Sequence, residues 1–200
     1  VKTLIINGTY HKNGMTATLT KSLEKGIKNV NPKADIKTIM LLEQEPEYCK
    51  GCNTCQKEKK KSIGTCAIKD DVRKTLENMT KYDVIVFASP IYEFCVTALM
   101  KKFYERCLPL FKFERGISGR NKKSKKRIGV IMLSSGAPTP FNTILRMSRY
   151  PVFVGKFILK SAGCGSIKKF IAGAMENNKK TKEKYANKAY KLGQKIANLF

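Results

Sequence analysis

Four cysteines crowd one short stretch of the chain: Cys49-Lys50-Gly51-Cys52-Asn53-Thr54-Cys55, with Cys66 following after ten intervening residues. Three thiols at this spacing can converge from a tight loop, which suits an iron–sulfur cluster, whose irons each need a thiolate. Zinc is a second chemistry open to such thiols, although structural zinc sites more often pair two separated C-x-x-C knuckles. The candidate metal ligands are therefore Cys49, Cys52, Cys55 and Cys66. The insertion before Cys66, with Lys57, Lys59, Lys60 and Lys61, leaves the fourth position the least defined. Cys95, Cys107 and Cys164 lie within apolar segments and read as small core residues.

Three other segments carry residue types that can bind a ligand. Gly8-Thr9-Tyr10-His11-Lys12-Asn13-Gly14-Met15-Thr16-Ala17 places glycines, hydroxyls and basic side chains just before a helical pattern. Backbone N–H groups at a helix start, aided by the helix dipole, form a phosphate site, and Thr9, Thr16, His11 or Lys12 can add to it. The segment has neither the Gly-Lys-Ser/Thr ending of a P-loop nor Gly-x-Gly-x-x-Gly, which argues against an ATPase and a dinucleotide Rossmann site. An ordinary strand-to-helix turn is the simpler alternative. Ser89-Pro90-Ile91-Tyr92-Glu93-Phe94 offers a proline-stiffened turn with an aromatic surface. Ser134-Ser135-Gly136-Ala137-Pro138 is small enough for a ring system to approach the backbone.

The elements that must position these loops follow from hydrophobic pattern. Residues 2–7, 36–40, 82–88, 128–133 and 166–172 read as strands, and the unbroken apolar runs at 84–87 and 128–133 predict strands buried on both faces. Helices are expected over 16–29, from Asp70 or Asp71 to Met79, through Val96–Cys107, over 140–160 with an interruption at Pro151, and over 180–199. The cysteines fall in a long irregular loop at 42–67. Alternating strands and helices predict an α/β fold, a doubly wound five-stranded parallel sheet with helices on both faces, in one domain spanning 1–200. A ligand then sits at the carboxyl ends of the strands, where the strand order reverses. The three ligand-type loops follow strands one, three and four, as that rule requires.

Together these loops resemble the NADPH-dependent FMN reductase branch of the flavodoxin-like superfamily. That branch carries a Gly-Ser-Pro-Arg-x-x-Gly-Asn-Thr type loop, matched by Gly8, Thr9, Tyr10, His11, Gly14, Met15 and Thr16, and a Ser-Pro-x-Tyr turn, matched by Ser89, Pro90, Ile91 and Tyr92. His11 stands where the family usually has Arg, and Met15 where it usually has Asn. The resemblance implies that Thr9, His11, Gly14, Met15, Thr16 and Ala17 hold an FMN phosphate. Pro90, Ile91, Tyr92 and Glu93 would line the isoalloxazine, with Ser135 and Gly136 closing the other side. It implies an FMN-dependent oxidoreductase that takes electrons from NAD(P)H and passes them to a flavin, quinone, nitro compound or small protein. No dedicated catalytic residue is expected, because the cofactor carries the chemistry. The cysteine segment resembles the iron–sulfur flavoproteins of the same fold, which makes an electron carrier with a cluster the runner-up. Flavin reductases also carry such cysteines without a cluster, packing the loop or forming a transient disulfide. Relatives commonly form homodimers or homotetramers that complete the flavin site.

Bulk properties bound these readings. The 40 Lys+Arg residues against 15 Asp+Glu give a net charge of +25. Such charge suits phosphate-rich partners, and a basic phosphate- or nucleic-acid-binding module is a third reading. The lysines are spread over nearly every segment without interleaved aromatics, however, which disfavours nucleic acid. The runs Lys57–Lys61 and Arg120–Arg127 stand out, and the loop Ser118–Arg127 is expected near a flavin site completed across an oligomer interface, where it would attract a nicotinamide phosphate by steering. No apolar run is long enough to cross a bilayer. Seven cysteines, an odd number, do not suggest a disulfide framework, and a strand-like start without a leader reads as cytoplasmic.

Overall fold

The computed structural model describes residues 1–44, 46–58, 61–113, 116–138, 141–173 and 179–200. Lys59, Lys60 and Pro140, each part of an expectation above, lie outside this set. The chain runs β1 (Lys2–Asn7), α1 (Met15–Val30), β2 (Asp35–Met40), α2 (Leu41–Gln44), α3 (Asp71–Met79), β3 (Val84–Tyr92), β4 (Cys95–Val96) and α4 (Ala98–Arg106). It continues through β5 (Phe111–Phe113), β6 (Ile117–Gly119), β7 (Ser124–Ser134), α5 (Phe141–Ile144), α6 (Arg149–Ser161), β8 (Cys164–Ala172) and α7 (Lys179–Ala197).

Five parallel strands pair in the order β2-β1-β3-β7-β8, with β4 added antiparallel to β3 and β5-β6 forming a separate hairpin. This is the expected flavodoxin-like sheet. Its central strands carry unbroken apolar runs, Leu4–Ile6, Val84–Ala88 and Val130–Leu133, because successive side chains alternate between two cores. Ile5, Val84, Val86 and Val130 pack against Leu19, Leu23 and Ile27 of α1 and Ala189 and Ile196 of α7. Leu4, Ile85, Phe87 and Ile131 pack on the opposite face, against Leu76, Phe103 and Ile158 of α3, α4 and α6. Helices α1 and α7 cross at glycine: a Cβ on Gly26 would stand 2.0 Å from the Tyr190 carbonyl oxygen, and one on Gly193 2.3 Å from that of Leu23.

Two local expectations are corrected, and the place of the basic run within the chain is fixed. Strand β3 does not stop at Ala88 but continues through the Ser-Pro-x-Tyr segment to Tyr92, paired to β7 as far as Pro90–Ser134. Pairing with β1 ends at Asn7–Ala88, so beyond that point β3 has an open side where a proline's missing N–H is tolerated. Pro151 does not interrupt a helix; it lies in the first turn of α6, where no intrahelical N–H bond is lost. The second half of the basic run, from Ser124 on, is the start of β7, at the amino ends of the strands. Arg127 caps three carbonyls there, those of Thr80, Tyr82 and Ala162. About 30 Å of strand separates Ser124 from Ser134, so within the chain this run is remote from the carboxyl-end crevice.

Candidate functional site

The strand order reverses between β1 and β3, and the crevice lies at their carboxyl ends. Asn7, buried at the end of β1, accepts from the Thr9 N–H at 3.0 Å and donates to Thr20 Oγ1 at 3.3 Å. Thr9 Oγ1 in turn accepts from the His11 N–H at 3.2 Å, and the Gly14 N–H closes a turn onto the His11 carbonyl at 3.0 Å. Gly8 is fixed from two sides: its N–H bonds the Ala88 carbonyl at 2.9 Å, and its own carbonyl accepts from Thr97 Oγ1 at 2.6 Å. A Cβ there would meet Met100 Cβ at 2.8 Å. The loop is thus tied to both strands and to the start of α4.

Helix α1 begins at Gly14 with no side-chain cap and no acidic residue in its first turn. Its first N–H groups, on Met15, Thr16 and Ala17, have no partner within the helix and face the positive end of its dipole. Thr16 Oγ1 shares a 2.8 Å hydrogen bond with Ser134 Oγ from β7. Ser135 is 2% exposed, and its hydroxyl has no hydrogen-bond partner. A buried orphan hydroxyl beside an uncapped helix start is a site waiting for an acceptor-rich ligand.

These groups enclose a cleft of about 420 Å³ lined by Thr9, His11, Gly14, Met15, Thr16, Pro90, Ile91, Tyr92, Ser134, Ser135 and Gly136. The structure therefore brings together most of the positions singled out from the sequence. Ala17 is buried on α1 and does not line the cleft. Glu93 is exposed at the tip of the β3-β4 hairpin and does not line the cleft. Glu93 and Phe94 both have positive φ, 46° and 60°, an uncommon conformation for such residues, and it is this turn that carries Tyr92. Tyr92 lies nearly parallel to Tyr10, with ring centroids 6.4 Å apart and planes 9° apart. Lys12 is engaged by Glu43 of α2 at 2.6 Å. Sequence reasoning did not select Ser134 or the Tyr10 ring; the signals were a second serine next to Ser135 and an aromatic in the first loop.

The cysteine loop forms a second centre. Cys49, Cys52, Cys55 and Cys66 all line one small cavity of about 20 Å³, together with Arg106, Leu108 and Pro109. Hydrogen-bond donors face the sulfurs: Thr54 Oγ1 on Cys52 at 3.4 Å, Gln56 Nε2 on Cys55 at 3.6 Å and Arg106 on Cys66 at 3.7 Å. The Thr54 bonds lower the Cys52 thiol pKa, whereas burial raises that of Cys55. Among the described residues no three cysteine, histidine or acidic side chains stand close enough to hold a single metal ion. The donor chemistry nonetheless fits an iron–sulfur group, four thiols in one cavity without competing carboxylates. A core larger than one water requires the exposed Lys50–Asn53 arm to move outward.

Two arginines hold this loop, and neither was singled out from the sequence for that role. Arg120 donates to the carbonyls of Cys55 at 2.8 Å, Glu58 at 2.5 Å and Phe111 at 2.9 Å. Arg106, with 0% of its side chain exposed, pairs both oxygens of Asp70 at 2.5 and 2.8 Å. Cys107 and Cys164 are fully buried, and burial pushes the Cys164 thiol up to about 12, so both are inert core residues; Cys95 is half-buried.

The family model for NADPH-dependent FMN reductase matches residues 1–147. The chain belongs to that family. Relatives among curated proteins include an iron-sulfur flavoprotein of Clostridioides difficile, 36% identical over 103 residues, covering 51% of this chain and 44% of that protein. One of Archaeoglobus fulgidus is 36% identical over 106 residues, covering 53% and 48%. The chain spans about half the length of these curated relatives. Among solved structures, an NAD(P)H:quinone oxidoreductase from Methanothermobacter marburgensis superposes with a TM-score of 0.77 at 13% identity, over 98% of this chain and 96% of that one. A Bacillus anthracis FMN-dependent NADH-azoreductase in complex with FMN gives 0.71 at 16%, over 98% and 99%. At such identity these two establish the shared FMN reductase fold and nothing finer. No helix among the described residues is long and apolar enough to cross a membrane.

Proposed function

We propose that the chain works as one FMN-binding domain and is an NAD(P)H-dependent oxidoreductase. The observation that carries this reading is the cleft at the β1/β3 crossover, where the uncapped start of α1 meets the unpartnered Ser135 hydroxyl. Bound FMN would supply hydride acceptance and electron release. The N–H groups of Met15, Thr16 and Ala17 and the hydroxyls of Thr9 and Thr16 hold the phosphate, with Gly14 opening the helix and Ser134 orienting Thr16. The His11 imidazole adds a donor at the exposed rim. Pro90, Ile91 and Tyr92 form one wall for the ring, with Glu93 contributing the turn that aims Tyr92. Ser135 and Gly136 form the other wall. The acceptor is a flavin, quinone, nitro compound or small protein. The test is anaerobic mixing of FMN-loaded protein with NADPH and NADH in turn. Bleaching of the flavin absorbance by one of them is expected; bleaching by neither would overturn the reading.

A second reading, an electron carrier with an iron–sulfur cluster beside FMN, is favoured by the four thiols sharing one cavity. Cys49, Cys52, Cys55 and Cys66 would hold the cluster. Helix α4 separates it from the cleft, with Thr97 bonded to Gly8 at one end and Arg106 among the thiols at the other, about 14 Å along the axis.

The functional unit in this proposal is a homodimer. Tyr150, Phe153 and Phe157 recur on one exposed stripe of α6, 51%, 66% and 41% exposed, next to exposed Phe141, Ile144 and Leu145. Three large exposed apolar side chains on one helical stripe are uncommon on a free monomer.

A further inference from the structure

Arg106 is the one fully buried charge among the described residues, and the flavin cleft does not use it. Its donors reach two other segments of the chain, at Glu47 and at Cys66–Asp70. Nη1 bonds the Glu47 carbonyl at 3.2 Å, both terminal nitrogens bind Asp70, and Nη2 points at Cys66 Sγ at 3.7 Å. Asp70 is shared in turn: it accepts from the Glu47 N–H at 3.2 Å and caps α3 through the Arg73 N–H at 3.0 Å. Arg106 Nε is buried without a partner, on a residue lining the same cavity as the four thiols.

A buried ion pair is a costly way to fasten a loop, since apolar residues of the same volume often do so as well or better. What an apolar side chain cannot do is donate to sulfur. The sulfur in question belongs to Cys66, the thiol set apart from the other three by the ten-residue insertion. A cationic donor at this contact gives the sulfur a hydrogen bond that no apolar side chain could supply. Cys55 is fastened independently through its carbonyl by Arg120. The cavity therefore has two anchored thiols, Cys55 and Cys66, facing an exposed arm that carries Cys52.

We propose that Arg106 is a positioning residue for an iron–sulfur cluster, holding Cys66 in place as the fourth thiolate and keeping a charged N–H donor on its sulfur. The proposal rests on the cluster reading above. Hydrogen bonds to cluster sulfurs shift the reduction potential. A charged donor favours the more negative, reduced form, so Arg106 raises the potential.

The test uses the full chain, purified without air and reconstituted with ferrous iron and sulfide. Wild type is compared with Arg106→Lys and with the double variant Arg106→Met/Asp70→Asn, which leaves no unpaired buried carboxylate. FMN affinity and thermal melting report whether each variant is folded. Iron per chain, the rate of iron loss to a chelator and the midpoint potential report on the cluster. The double variant is expected to bind FMN as wild type does, to lose iron at least tenfold faster and to titrate at a lower potential; Arg106→Lys, which keeps the charge but loses the planar fork, is expected to lose iron faster with a smaller change in potential. Should the double variant melt early, Arg106→Gln/Asp70→Asn, which keeps a hydrogen-bonding pair without the charge, decides through the potential. A folded variant with unchanged iron retention and unchanged potential would reduce Arg106 to a structural role and overturn the proposal while leaving the cluster reading intact. Wild-type protein that takes up no iron would remove both.

Discussion

Ser135 and Asp70 show how single side chains divide between function and stability. Ser135 Oγ is buried without a partner, a cost to the empty protein. Ser135→Ala is expected to leave apoprotein stability unchanged or raise it by about 1 kcal/mol, while weakening FMN binding about fivefold, the worth of one hydrogen bond. Melting and flavin fluorescence titration on the same variant check both halves. Asp70 behaves oppositely. Burial pushes its pKa up, but the Arg106 hydrogen bonds and the Arg73 and Glu47 N–H groups outweigh it, and the carboxyl titrates below its ordinary value. A lowered folded value means that its stabilisation is complete above the unfolded value of about 3.9 and is lost as pH falls through the folded one. Asp70→Asn is expected to lose about 3–5 kcal/mol at neutral pH, because Arg106 is left unpaired. Urea unfolding from pH 7 down to pH 3 should show wild type and variant converging at the acid end.

At the scale of elements, the sheet was legible because strands buried on both faces read as unbroken apolar runs. The helices flanking them announced themselves by period and, for α3, by the Asp70 cap. Most cleft residues were legible for the same reason, since the carboxyl ends of known strands say where loops must meet. What stayed hidden was set by distant partners. Pro90 reads as a strand terminator, yet β3 continues because β1 has already ended beside it. Arg106 reads as a solvated helix charge until Asp70 and Cys66 arrive from another segment. The turn at Glu93 and Phe94 was hidden too, since neither residue type favours positive φ. Glu93→Asn should relieve part of that strain and raise stability by up to about 1 kcal/mol. Thermal melting checks this, and an unchanged or lower midpoint would contradict it.

At the scale of the whole molecule, charge and apolar surface oppose each other. A second copy covering Tyr150, Phe153 and Phe157 brings two chains of net charge +25 together, with Arg146, Arg149 and Lys160 close to the seam. Salt screens that repulsion. The dimer is therefore expected to become more populated as ionic strength rises, and Phe153→Glu is expected to leave a monomer at all salt concentrations. Sedimentation at low and high salt checks both. Assembly that weakened with salt would point to a contact made by charge instead.

The most direct test of the central claim, that the cleft at the β1/β3 crossover holds FMN, is an absorption spectrum of protein purified without air, with iron measured on the same sample. The account predicts the two-banded yellow spectrum of a bound flavin, one per chain. A cluster would add broad brown absorption and about four irons. A colourless protein that also fails to take up added FMN would contradict it.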